Sequence, residues 1–158
     1  MTDSAAHTPA PTVEEALHTT LDLSFEDAIP HVQLEHEFAG FETVAVTRMD
    51  EFVEGVLGES VVKTALIVVC HAGIAKAALD IDPKLAGLLP CTTIVYQFEG
   101  DEHVHVYHAS TTKAIRDLGC APGDCRPEVQ ALVEMTGDVM EDVWTNIQRH
   151  AAGASSIE

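Results

Sequence analysis

The sequence predicts a single α+β domain, and three observations predict it. Short apolar runs rich in β-branched residues recur at positions 64–70, 91–98 and 103–108, the pattern of strands. Between and after them, apolar residues fall at three- and four-residue spacing, the longest such stretch following Pro127, the pattern of helices. A length of 158 residues with 46% hydrophobic content suits one core and leaves little room for two.

Taken in order, residues 15–23 alternate loosely and are rich in Thr and Leu, which reads as a first strand. Ser24 opens S-F-E-D, a capping-box-like start in which Asp27 reaches back to a free backbone N–H. Phe25, Ile29 and Val32 follow at helical spacing. Pro30 lies within that pattern and is expected to bend or interrupt the helix, because it removes one helical hydrogen bond. Residues 42–48 read as a short strand, and 50–57 as one or two helical turns stopped near Gly58.

The run at 64–70 (TALIVVC) is short and followed by His-Ala-Gly, which favours a strand in mid-sheet over a buried helix. Residues 74–79 read as a helix, and Asp82-Pro83 opens a second short one through Leu89. Strands at 91–98 and 103–108 flank E-G-D-E, where Gly100-Asp101 suits a tight hairpin turn. Pro127 is placed as the first residue of a long last helix. Its apolar stripe is Val129, Leu132, Val133, Thr136, Met140, Val143, Trp144 and Ile147. Trp144 is read as core, with stacking on a ligand as the alternative. Residues 1–12 read as a disordered leader, 13–150 as the single domain and 151–158 as a flexible tail.

Charge restricts the function classes. With 26 Asp+Glu against 8 Lys+Arg the formal net charge is −18. No basic stripe exists to displace counterions from DNA or RNA, or to dock on an anionic membrane, so neither is an expected partner. Self-repulsion of this size becomes tolerable in concentrated salt, where screening acts over a few ångströms. The dispersed acids and scarce lysines resemble the composition of proteins from salt-accumulating archaea. No apolar run is long enough to span a bilayer, and no basic segment precedes an apolar one at the start of the chain. A cytoplasmic location with reduced thiols is therefore expected.

Positions 65–110 carry a signature. An apolar strand leads into H-A-G-I-A-K-A-A-L, then D-P-K-L-A-G-L-L-P-C, then T-T-I-V-Y, a turn, and V-H-V-Y. This stretch resembles the family called domain of unknown function 302, in a haloarchaeal-type member, and the resemblance extends over about residues 15–118. It implies a two-layer sandwich: a mainly antiparallel sheet with helices on one face, in the order β-α-β(4)-α with small extra helices. It also implies a homodimer as the expected assembly. No activity is attached to the family, so no catalytic residue is carried over.

A two-residue turn at Gly100-Asp101 would set the hairpin register. Phe98 then faces His103, Tyr96 faces His105, and Ile94 faces Tyr107. The other face carries Gln97 with Val104, Val95 with Val106, and Thr93 with His108. The valines suit a face covered by helices, leaving Ile94, Tyr96, Phe98, His103, His105 and Tyr107 outward. Such a patch is expected to be covered by another subunit or by a small-molecule ligand. A register one residue off would instead turn every side chain over.

Three groups of residues have chemistry to offer. His103 and His105 are two apart on one strand, a spacing at which two imidazoles can hold a transition metal, although no third ligand is evident. Cys70, His71 and Cys91 would make a thiol site if their strand ends met, inert core thiols being the alternative. Cys120 and Cys125 flank a Pro-Gly turn and stand as free thiols, a disulfide or part of a metal site. Nucleotide loops and zinc-protease motifs are absent from the sequence. The function expected is a non-catalytic binding or assembly module using an open sheet face, without a cofactor. The alternative is a metal- or thiol-dependent enzyme using Cys70/His71/Cys91 or His103/His105.

Overall fold

The structure, a computed structural model, describes residues 17–109 and 127–151. The expected leader, most of the expected tail and the Cys120/Cys125 loop lie outside those residues.

Strand β1 (His18–Leu21) is followed by helix α1 (Phe25–Phe38). The Ser24 side chain caps that helix, accepting from the Asp27 N–H at 3.1 Å and donating to Asp27 Oδ2 at 2.7 Å. Helix α1 runs without interruption through Pro30, correcting the expectation of a break. Pro30 lies on the exposed side. The Glu26 carbonyl, whose usual donor it removes, stands in the first turn, where water replaces a helical donor at little cost.

Gly40, at φ +92, then turns the chain into β2 (Phe41–Arg48). Helix α2 (Met49–Leu57) leads to β3 (Lys63–His71), helix α3 (Ala72–Ile81) and a 3-10 turn, Pro83–Leu88. Asp82 caps that turn by accepting from the Lys84 N–H at 2.9 Å. Strands β4 (Cys91–Gln97) and β5 (Val104–Ala109) form a hairpin, and α4 (Pro127–Ile147) closes the domain.

The five strands form one antiparallel sheet in the order β1-β5-β4-β3-β2. Helices α1 and α4 cover one face of it. Phe25, Ala28 and Val32 from α1 and Met140, Val143, Trp144 and Ile147 from α4 enclose a core with Ala65, Ile67, Val69, Val95, Val104 and Val106. Helix α3 packs on α4 through Ile74, Ala78 and Leu132. The architecture is the expected α+β sandwich with a long C-terminal helix.

The hairpin pairs Ile94 with Tyr107, Val95 with Val106 and Tyr96 with His105, the register anticipated from the alternation. The turn itself differs. The Asp101 N–H donates to the Phe98 carbonyl at 3.1 Å, and Gly100 takes φ +82. The chain therefore reverses over positions 98–101, and Phe98 and His103 lie outside the strands rather than forming a ladder pair. A four-residue turn with Gly at its third position relieves a tighter reversal, while the core valines on both strands hold the register.

Candidate functional site

Alternation divides the sheet into a helix-covered face and an open one. On the open face one row is Thr47, Leu66, Ile94, Tyr107 and His18, and the next is Thr64, Tyr96, His105 and Thr20. Of all outward strand positions only Glu42, on edge strand β2, is acidic. In a chain of net charge −18 the outward strand positions are thus nearly free of acids.

The aromatic residues gather at one end of it. The Tyr96 and His105 rings stack at 4.8 Å and 11°. Phe98, 55% exposed, stands roughly perpendicular to both, its centroid 5.6 Å from Tyr96 and 5.8 Å from His105. Burial raises the Tyr96 phenol above its ordinary value.

A polar chain runs along the same end. His105 Nε2 lies 3.1 Å from Asp101 Oδ2, and His105 Nδ1 lies 3.1 Å from His18 Nε2. A carboxylate only accepts, so neutral His105 donates from Nε2 to Asp101 and presents a lone pair at Nδ1. His18 Nε2–H donates into that lone pair. Partial burial, and then the neighbouring His105, hold His18 below the usual imidazole range.

His103 is exposed in the turn segment, whereas His105 is directed to Asp101 and His18. Among the described residues no group of three or more His, Cys, Asp and Glu side chains is disposed around a common metal position. Cys70 and Cys91 lie on opposite faces of the sheet. Cys70 pairs with Glu42 on the open side, and Cys91 pairs with buried Val69 on the helix side. His71 is on the helix side as well. Its Nδ1 accepts from the Ile74 N–H at 3.4 Å and its ring stands edge-on to Phe41 at 5.4 Å. A Cβ built on Gly40 would come within 3.2 Å of that ring, and one on Gly73 within 3.1 Å. His71 thus caps α3 from a slot between two glycines.

The core holds a second imidazole pair. Thr93 Oγ1 lies 3.0 Å from His36 Nε2 and 2.7 Å from His108 Nδ1, all three side chains being buried. His36 Nδ1–H donates to the Val32 carbonyl at 2.7 Å, leaving Nε2 to accept the Thr93 hydroxyl proton. The Thr93 oxygen then accepts from His108 Nδ1–H. Burial is the main influence that lowers both imidazoles, and His108 falls to about 3, with repulsion from His36 adding to the effect.

The strand alternation places Thr93 opposite His108 on the covered face. Two polar residues paired on an inward face were the available signal. For His36 the signal was its place four residues beyond Val32 on the apolar stripe of α1. His18, as a partner of His105, had no signal at all.

A family model described as domain of unknown function DUF302 matches residues 17–143. Among solved structures, the chain is similar to an uncharacterized conserved protein DUF302 from Bacillus stearothermophilus. The TM-score is 0.67 at 18% sequence identity, with 85% of this chain and 98% of that chain covered. That likeness shows a shared fold. No curated protein matches the sequence.

Proposed function

The chain belongs to the DUF302 family, and on that premise we propose that it is a non-catalytic assembly module whose open sheet face closes against a second copy. The observation that carries this reading is the near absence of carboxylates on a face holding Leu66, Val68, Ile94, Tyr96 and Tyr107. Two chains of charge −18 repel each other on any acidic surface, so a neutral apolar face is where they approach at least electrostatic cost.

The size is of the right order. Five strands about 4.8 Å apart, with two to four outward positions along each, span roughly 24 by 20 Å. Side-chain relief and the flanking Phe98 enlarge that area toward the ~800 Å² that each partner of a stable dimer buries. The acidic remainder supports a salt-accumulating archaeal cytoplasm as the setting, where screening reduces repulsion between the copies.

Sedimentation in about 2 M KCl, where the Debye length is only a few ångströms, tests the assembly. The wild-type chain should sediment at twice 17.0 kDa, and Ile94→Glu, which buries a charge at the middle of the face, should sediment as a monomer. A wild-type monomer, or an unchanged dimer in Ile94→Glu, overturns the reading. A small molecule as the occupant of the face would give the first of those outcomes.

A further inference from the structure

We propose that His18 and His105 form a two-imidazole site for a divalent first-row transition cation, with zinc as its representative. Both imidazoles come from one chain, so the site does not depend on assembly.

The spacing is already that of a shared ion. Two nitrogens held at 2.0–2.1 Å from one zinc are about 2.9 Å apart at a right angle and about 3.3 Å apart at the tetrahedral angle. His18 Nε2 and His105 Nδ1 stand 3.1 Å apart, between those limits. The donors suit borderline cations such as Zn²⁺ and Cu²⁺ rather than Mg²⁺ or Ca²⁺, which prefer oxygen.

The second nitrogen of His105 supplies an independent feature. It is engaged by Asp101 Oδ2 at 3.1 Å, the carboxylate–imidazole arrangement that fixes which nitrogen of a metal-binding histidine carries the lone pair. Tyr96 stacked on its face and Phe98 at its edge hold the His105 ring in that orientation. His18, exposed on the outermost strand, is the less confined half of the pair. A sideways shift of its ring carries Nε2 off the axis of the His105 lone pair and leaves that lone pair to a cation that both nitrogens reach. Water completes the coordination from the β1 edge of the sheet, where His18 is exposed.

Proton balance is simple. In the free protein His18 carries its proton on Nε2 and donates it to His105. Binding frees Nε2 by shifting that proton to His18 Nδ1 through solvent, so the neutral pair releases no net proton. His105 keeps its Nε2 proton on Asp101 throughout.

The test uses the full chain under reducing conditions at pH 7.5 with Zn²⁺ alone, read by calorimetry and by imidazole ¹⁵N resonances. One zinc equivalent should shift His105 Nδ1 and His18 Nε2 and convert His18 to the Nδ1–H tautomer. His18→Ala, His18→Gln and His105→Ala should each weaken that equivalent at least tenfold, Asp101→Asn severalfold, and His103→Ala not at all. Ile94→Glu should retain it, which separates this proposal from the assembly. The proposal is overturned if the wild-type chain binds no zinc. It is equally overturned if the equivalent survives in His18→Gln and His105→Ala, is lost in His103→Ala, or is lost in Ile94→Glu. Circular dichroism of each variant identifies unfolding, and the wild-type ¹⁵N shifts decide the assignment without any substitution.

Discussion

The hydroxyl of Thr93 lies 2.7 Å from Nδ1 of His108, and both side chains are buried between the sheet and helix α1. The same oxygen reaches His36 on that helix at 3.0 Å. One hydroxyl therefore serves as acceptor to one imidazole and donor to the other, joining sheet to helix through a polar contact inside an apolar core. Burial favours the neutral form of both imidazoles, because a proton added to either would be a charge inside the apolar core.

Removing the hydroxyl isolates both partners. Thr93→Val keeps the shape but leaves a buried acceptor on His36 and a buried donor on His108, each costing about 1–3 kcal/mol. Urea unfolding should show a loss of about 2–6 kcal/mol for Thr93→Val. Thr93→Ser, which keeps the oxygen and deletes one methyl group, should lose only about 1 kcal/mol. Equal losses in the two variants would mean that packing, and not the hydroxyl, matters at this position.

The same pair makes stability depend on pH. His108 falls from an ordinary value of 6.5 to about 3 in the folded chain, and His36 is lowered as well. Between those values the unfolded chain binds the proton and the folded chain does not. The contribution is therefore complete above pH 6.5 and is lost as the pH falls toward 3. His108 adds a slope of up to about 1.4 kcal/mol per pH unit in that window, and His36 acts in the same direction. Urea midpoints measured from pH 8 down to pH 4 should fall below pH 6.5, and the fall should be shallower in His108→Leu. A midpoint that stays level would refute the neutral pair.

Glycine substitutions should order themselves by what a Cβ meets. Gly40→Ala combines φ +92 with a contact at 3.2 Å from His71, whereas Gly58→Ala meets nothing within 4 Å at φ +70. Backbone strain of about 1 kcal/mol applies to both, and displacement of the His71 ring adds to it at Gly40 alone. Gly55→Ala, inside helix α2 with open space around it, should stabilise by about 0.5–1 kcal/mol. Melting temperatures in the order Gly55→Ala, wild type, Gly58→Ala, Gly40→Ala would bear this out; a Gly40→Ala protein as stable as Gly58→Ala would not.

Salt is expected to act strongly. The cations are few, and Arg48 already engages Glu26, Asp50 and Glu51. Most carboxylates are left to repel one another, and this repulsion is screened as the Debye length falls from about 10 Å at 0.1 M salt to about 3 Å at 1 M. The melting temperature should rise steeply over that range in KCl, and a salt-independent transition would contradict the high-salt setting.

Local periodicity, read from the chain alone, decided the secondary elements and which side of each faces inward. Val95, Val104 and Val106 alternate with Tyr96, His105 and Tyr107, so one choice of register buries every valine and turns every ring outward. The Ser24 cap and the stripe from Val129 to Ile147 were legible for the same reason, since a helix turn brings neighbours in sequence together. Tertiary structure alone decided the contacts across strands and layers. His18 meets His105 only because β1 joins the sheet beside β5. His36 meets Thr93 only because α1 crosses β4 at that height, and no spacing within the chain encodes either distance.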